Sequence, residues 1–149
     1  MASRRLAREQ AVQVLYQRDL TRCDLEAALR LYWQVESSHP ERDAPDPADV
    51  EFASVLARGV EARGAEVDAL ITAASTHWKV ERMSYVDRNI LRVAVYEFIA
   101  MDDVPALVSI NEAIELGKRL GTTDSGAFIN GVLDRVARNL DLEAGGKAR

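Results

Sequence analysis

Apolar residues recur at intervals of three and four along most of this chain, and nowhere do Val, Ile and Thr alternate with polar residues between hairpin turns. The first pattern lays an apolar stripe along a helix. The second, which a half-buried strand needs, is missing. The chain is therefore predicted to be all-α. Its 149 residues suit one domain with its own core. No apolar run approaches the roughly 18 residues of a membrane span.

Capping residues mark where the helices begin. Ser3 opens a helix reaching about residue 21, with Ala7, Ala11, Val14 and Leu15 as its core stripe. Asp24 caps a second helix carrying Leu25, Ala28, Leu29, Tyr32 and Trp33. A charged, proline-containing linker covers 37–46, and Asp46-Pro47 then pairs an N-cap with proline at the first helical position. The third helix carries Val50, Ala53, Leu56 and Val60, with Gly59 and Gly64 weakening it. Val67, Leu70, Ile71 and Ala74 read as a kinked extension or a separate helix. After a connector at 77–83, Ser84 with Asp87 forms a box-like cap. The helix that follows has the widest apolar arc, from Ile90 to Ile99, and is expected at the centre.

Residues 105–135 read as helix, tight turn, helix. Ser109 with Glu112 makes a capping box, and Gly121 follows the last apolar residue, where a left-handed cap is expected. Asp124 and Ser125 are expected to cap the last helix, which carries Phe128, Ile129, Val132, Leu133 and Val136. Gly131 within it predicts a close helix crossing, since glycine there costs roughly 1 kcal/mol relative to alanine. The count is about six or seven helices.

The charge distribution limits any nucleic-acid contact to one end. Net charge is −5, yet residues 1–30 hold six arginines against four acidic residues. Arg4, Arg5 and Arg8 lie in the first two turns of helix one, where positive charge opposes the helix dipole by roughly 0.3–1 kcal/mol each. They fan along an arc that adjoins Tyr16. Arginine pairs bidentately with phosphate and stacks on bases, so this edge reads as a phosphate contact, against the alternative of a solvated N-terminus. At the start of the last helix, free backbone amides, Asp124, Ser125 and the Phe128 ring together suit a splayed-out base. Periodicity alone is equally served by Tyr16 and Phe128 as core residues.

Catalysis has no anchor in the sequence. His39 and His77 are far apart and Cys23 is alone, so no zinc set exists and no internal disulfide forms. The GGK of the tail lacks a phosphate-loop pattern, and no nucleophile elbow or dinucleotide fingerprint occurs. No enzyme activity, cofactor or metal is expected. No signal-peptide core follows the N-terminal arginines, and a cytoplasmic location is the default.

The stretch NEAIELGKRLGTTDSGAFINGVLDR resembles the C-terminal signature of the NusB family of bacterial transcription antitermination factors. RRLARE at 4–9 resembles that family's arginine-rich start, and VDRNILRVAVYEF at 86–98 followed by DVP at 103–105 is similar to its middle. The resemblance implies a compact all-α bundle in two helical subdomains over residues 1–142; the tail at 143–149 is expected to be disordered, as chain ends commonly are. It implies binding of a boxA-type single-stranded RNA through the first helix, with Asp124 and Phe128 near the RNA. Gly126 and Ala127 depart from the basic residues that some relatives carry there. It further implies a partner, the ribosomal small-subunit protein that acts as NusE, meeting Glu81, Arg82, Asp87 and Arg88. The assembly would act on elongating RNA polymerase at ribosomal RNA operons. Family members differ in oligomeric state, so a homodimer is compatible with the resemblance. Two rival readings are an RNA-binding module like the N-terminal domain of ribosomal RNA cytosine methyltransferases, and a helical scaffold without RNA.

Overall fold

The computed structural model describes residues 3–142; the expected tail at 143–149 lies outside them. Among the described residues the chain forms seven α-helices, one 3-10 turn at Val80–Arg82 and no strand. The helices are α1 (Arg4–Thr21), α2 (Leu25–Ser37), α3 (Pro47–Ala62), α4 (Gly64–Ala74), α5 (Tyr85–Ala100), α6 (Ala106–Leu120) and α7 (Ser125–Asn139). The caps read from the sequence at the first three starts are present. Ser3 accepts from the Leu6 amide, Asp24 from Ala27 and Asp46 from Ala48. The stretch after α3 is a separate helix, because Arg63 at φ −110°, ψ 26° breaks the helical path.

α1, α2 and α3 pack together as one group, and α4, α6 and α7 gather around α5 as the other. α5 also touches α1 and α3, which makes it the shared element. Its wide apolar arc buries Ile90, Leu91, Val93, Ala94, Val95 and Phe98. Each large side chain so buried stabilises the fold by roughly 1.5–3 kcal/mol. Gly59 admits α5 to α3: a Cβ there would lie 2.0 Å from Cζ of Tyr96.

The 105–135 segment keeps its two helices but not its predicted capping. α6 starts at Ala106, a turn before Ser109, with Pro105 as its N-cap and no side-chain cap. Pro105 sits at φ −60° and needs no amide partner, so the helix begins there and Ser109 becomes an interior residue. Ser109 Oγ instead donates to Glu97 Oε1 at 2.6 Å, and Glu112 turns outward to Arg5. Gly121 is extended rather than left-handed, at φ −98°, ψ −158°. A side chain there would run into Ser125, whose Oγ lies 2.3 Å from the Cβ position. Asp124 makes no side-chain cap, and the Ser125 hydroxyl accepts from the Thr122 amide, closing the turn from the other direction. Gly131 faces open space, so no close crossing explains it.

Candidate nucleic-acid interface

Three arginines at the start of α1 meet three different environments. Arg4 is exposed, stacks its guanidinium 4.5 Å above the Phe52 ring and reaches Asp103 at 3.7 Å. Arg5 is exposed and grips Glu112 bidentately, with Nε to Oε1 at 2.9 Å and Nη2 to Oε2 at 2.8 Å. That hydrogen bonding holds the Glu112 carboxyl below the usual carboxylate range, against a smaller upward push from burial. Arg8 is only 6% exposed. Its Nε donates to Glu97 Oε2 at 2.6 Å, and Ser109 serves the other oxygen of that carboxylate. Three helices are thus tied by one buried polar cluster, and Arg8 is engaged inside the fold rather than offered to a phosphate.

The seam between α1 and α6 continues the same theme. Arg119, exposed on α6, pairs with Glu9 of α1 at 2.8 Å. Its neighbour Lys118 lies 3.6 Å from Glu115. These cations lead from Arg5 toward the α6–α7 turn, where Asp124 and Phe128 stand.

Tyr16 lies roughly 16 Å further along α1 than Arg5, at 1.5 Å per residue. It is 37% exposed and meets Tyr85 edge to face, ring centroids 6.1 Å apart. Arg88 stacks 4.2 Å over the other neighbour in this set, the Tyr85 ring, while its Nε donates to Asp19 Oδ2 at 3.0 Å. Asp19 is a hub: Arg18, Arg88, Asn89 and Arg92 all donate to it. Burial is the largest single influence on Asp19 and would raise its pKa. The Asn89 amide, Arg18 and Arg92 together outweigh burial and hold it below the usual range. Asp68 binds Arg92 bidentately and extends the network to α4.

The first turn of α5 stands between Tyr16 and the start of α7. Tyr85 touches Tyr16, while Ser84 and Asp87 line a cleft shared with Asp124, Ser125 and Phe128. The cleft measures about 280 Å³ and opens between the 78–87 connector and the α7 start. Asp124 is exposed and Phe128 half-buried. Ser125 is 2% exposed, its hydroxyl already committed to the turn. Asp87 amide donates to Ser84 Oγ at 3.0 Å, the box-like cap expected there, but its own Oδ1 is buried without a protein donor. Glu81 and Arg82 are exposed on the 3-10 turn, whereas Arg88 points inward to Asp19.

The fold therefore brings Tyr16, Asp124 and Phe128 to two sides of one helical turn, with Arg4 and Arg5 at the far end of α1. Sequence reading missed Phe52 beneath Arg4, the Arg119–Glu9 bridge, the Asp19 hub and Trp78 on the cleft. Trp78 alone left a signal: a large aromatic within the charged connector 77–83. Among the described residues no group of His, Cys, Asp and Glu is arranged to hold a metal, and no helix is long and apolar enough to cross a membrane.

Comparison with known proteins adds a family. The family model described as NusB matches residues 5–138. The transcription antitermination protein NusB of Myxococcus xanthus (strain DK1622) is 44% identical over 137 residues, covering 92% of this chain and 96% of that protein. The crystal structure of T. maritima NusB superposes with a TM-score of 0.80 at 38% identity, over 92% of each chain. A chain from a crystal structure of antitermination factors NusB and NusE in complex with double-stranded RNA shares the fold, with a TM-score of 0.80 at 24% identity, over 91% of this chain and 96% of that one.

Proposed function

The chain belongs to the NusB family, and on that premise we propose that it is a non-catalytic transcription antitermination factor binding boxA-type single-stranded RNA. The observation that carries this reading is the meeting of Tyr16 and the α7 start across the first turn of α5. Residues more than a hundred positions apart thus flank the first turn of α5, with Tyr16 against Tyr85 and with Asp124 and Phe128 on the cleft beside Asp87. Arg4 and Arg5 supply phosphate contacts, and Tyr16 and Phe128 supply stacking. Asp124 accepts hydrogen bonds from base edges. Arg8 and Ser125 support this surface from beneath: Arg8 fixes α1 against α5 and α6, and Ser125 shapes the turn before α7.

The partner of this reading is the ribosomal protein that acts as NusE, and Glu81 and Arg82 are its nearest exposed contacts on the connector. Asp87, on the cleft, stands where RNA and partner would adjoin. Arg88 acts indirectly, holding Tyr85 through its stacked guanidinium. The assembly would modify elongating RNA polymerase on ribosomal RNA operons, in the cytoplasm.

Titration of a boxA-like single-stranded RNA across salt tests the reading. Each phosphate contact contributes about 0.7 to the slope of log affinity against log salt for a single strand. Replacing Arg4 and Arg5 by alanine should make that slope shallower by about 1.4. Equal affinity and slope in both proteins would remove the arginines from the interface.

A further inference from the structure

Trp78 is 55% exposed, beside a cleft, in a connector whose backbone is otherwise fixed. Ser75 Oγ donates to the Trp78 carbonyl at 2.9 Å, and the Arg82 amide donates to the Lys79 carbonyl at 2.9 Å. Val80 and Met83 are buried on either side of the 3-10 turn. The chain around Trp78 is thus anchored at three points while its ring is left uncovered. Burying an indole stabilises a fold strongly, so a ring held out from a well-anchored backbone is a poor packing solution and a good contact for something else.

We propose that Trp78 is a base-stacking residue which, with Phe128, makes the cleft a slot for one splayed-out RNA base. This rests on the RNA-binding reading above and adds a residue and a subsite to it. Three properties of the cleft favour a base over a protein segment. Its volume of about 280 Å³ lies just under the roughly 300–1,000 Å³ of sites for drug-sized ligands, which suits a single flat heterocycle. A docked helix would need a longer groove with anchors spaced over two turns. Its aromatic lining comes from two separate elements, the connector and α7, as stacking on a base requires. Its polar lining pairs two carboxylates with the hydroxyls of Ser84 and Thr122. Asp87 and Asp124 accept but cannot donate, so they suit a base edge carrying N–H and turn away phosphate oxygens.

The chain holds two tryptophans, Trp33 and Trp78. Incorporating fluorine-labelled tryptophan therefore gives two NMR signals, which Trp78→Phe assigns. Titration with a boxA-like single-stranded RNA should shift the Trp78 signal in step with binding measured separately by anisotropy of labelled RNA. The Trp33 signal, between α2 and α3, should stay in place. Trp78→Ala should weaken RNA binding about tenfold or more, and Trp78→Phe should restore most of it. Thermal melting of both variants should match the parent, since the ring is exposed. RNA that binds with no change at Trp78, and with Trp78→Ala unaffected, would overturn the slot and leave the RNA-binding reading standing. Failure of the unaltered protein to bind any RNA would overturn both. Intact RNA affinity with weakened binding of the NusE-type protein would reassign Trp78 to protein docking and overturn the proposal.

Discussion

Along the α1–α6 seam the exposed arginines already have carboxylate partners, whereas around the connector and the α7 start the aromatic rings stand partly uncovered. Arg4, Arg5 and Arg119 each lie within 4 Å of an acidic oxygen, from Asp103, Glu112 and Glu9. Trp78 is 55% exposed and Tyr16 37%. A phosphate must therefore displace a carboxylate at the first region, but a base meets a ready surface at the second. The difference teaches how a protein of net charge −5 can select RNA. On the RNA-binding reading, the cations of this seam are masked against polyanions in general, and the discriminating contacts are the ones salt does not screen. Binding should accordingly divide into a salt-dependent part from the seam and a salt-insensitive part from the rings.

The largest expected effect falls on the one arginine that the division excludes from binding. Arg8→Ala removes the guanidinium held 2.6 Å from the buried Glu97 carboxylate, and breaking a buried pair on one side costs about 3–5 kcal/mol. Thermal denaturation should show a fall of about 10 °C, at roughly 2–4 °C per kcal/mol for a chain near this size. RNA affinity of the folded protein should change far less. If Arg8 were a phosphate contact the pattern would reverse, with RNA affinity lost and melting unmoved.

The burial of Arg8 also marks where the sequence stops being legible. Helix spacing places Ala7 and Ala11 on the core stripe and leaves Arg8 at its edge, indistinguishable from Arg4 one turn earlier. The two part only because Glu97, 89 residues away, is itself buried in the last turn of α5. Local patterns carried the helices, the starts at Ser3, Asp24, Asp46 and Ser84, and the central place of α5. They failed at Ser109 and Glu112 because that pair has two competing uses. The three-residue spacing suits a cap, but Pro105 had already begun the helix, and tertiary partners on α5 and α1 took the side chains. The helix turn at 121–125 failed for a related reason: Ser125 closes it inward, so Gly121 is required by close approach and not by a left-handed backbone. Trp78 was visible as a residue, but its exposure depends on how 75–83 folds back, which no periodicity records.

The second effect in size belongs to the uncovered rings. Phe128→Ala should lower affinity for a boxA-like RNA about tenfold or more, since stacking contributes roughly 1–3 kcal/mol per base. The salt slope should stay as it is, because no phosphate contact is lost. A slope that flattened with Phe128→Ala would mean the ring orders the arginines, and the two regions would not be separable. Arg5→Ala should do the opposite. Its affinity loss should be smaller, because the unaltered arginine must first release Glu112, and the slope should become shallower by about 0.7.

Acid should act on the hub by removing the charge of Asp19. Asp19 is held below its ordinary pKa in the fold, so its stabilising contribution is complete above the unfolded value near 3.9. It is lost as pH falls through the lower folded value. Asp19→Asn should flatten the acid limb of a stability curve measured by denaturant unfolding below about pH 4. A limb unchanged by that substitution would place the acid-sensitive group elsewhere.

Glu112 offers the finest test of masking. Its carboxylate occupies the guanidinium fork of Arg5 with the geometry a phosphate would use. Glu112→Gln keeps the shape and removes the charge, so Arg5 becomes available without an exchange. RNA affinity at low salt should rise a few-fold, with a larger gain for an unrelated single strand than for the boxA-like one. Stability should fall by about 1 kcal/mol, since Arg5 is exposed while Glu112 also lies 3.9 Å from the buried Arg8. The Glu112 pKa is lowered in the fold, so Arg5 stays masked at neutral pH and is released only in acid, below the usual carboxylate range. The unaltered protein should therefore approach the Glu112→Gln affinity only below the usual carboxylate range, and the variant itself should show no such rise. If Glu112→Gln weakens RNA binding at low salt, the carboxylate positions Arg5 for phosphate instead of competing for it, and the seam would be preorganised in the same sense as the aromatic cleft.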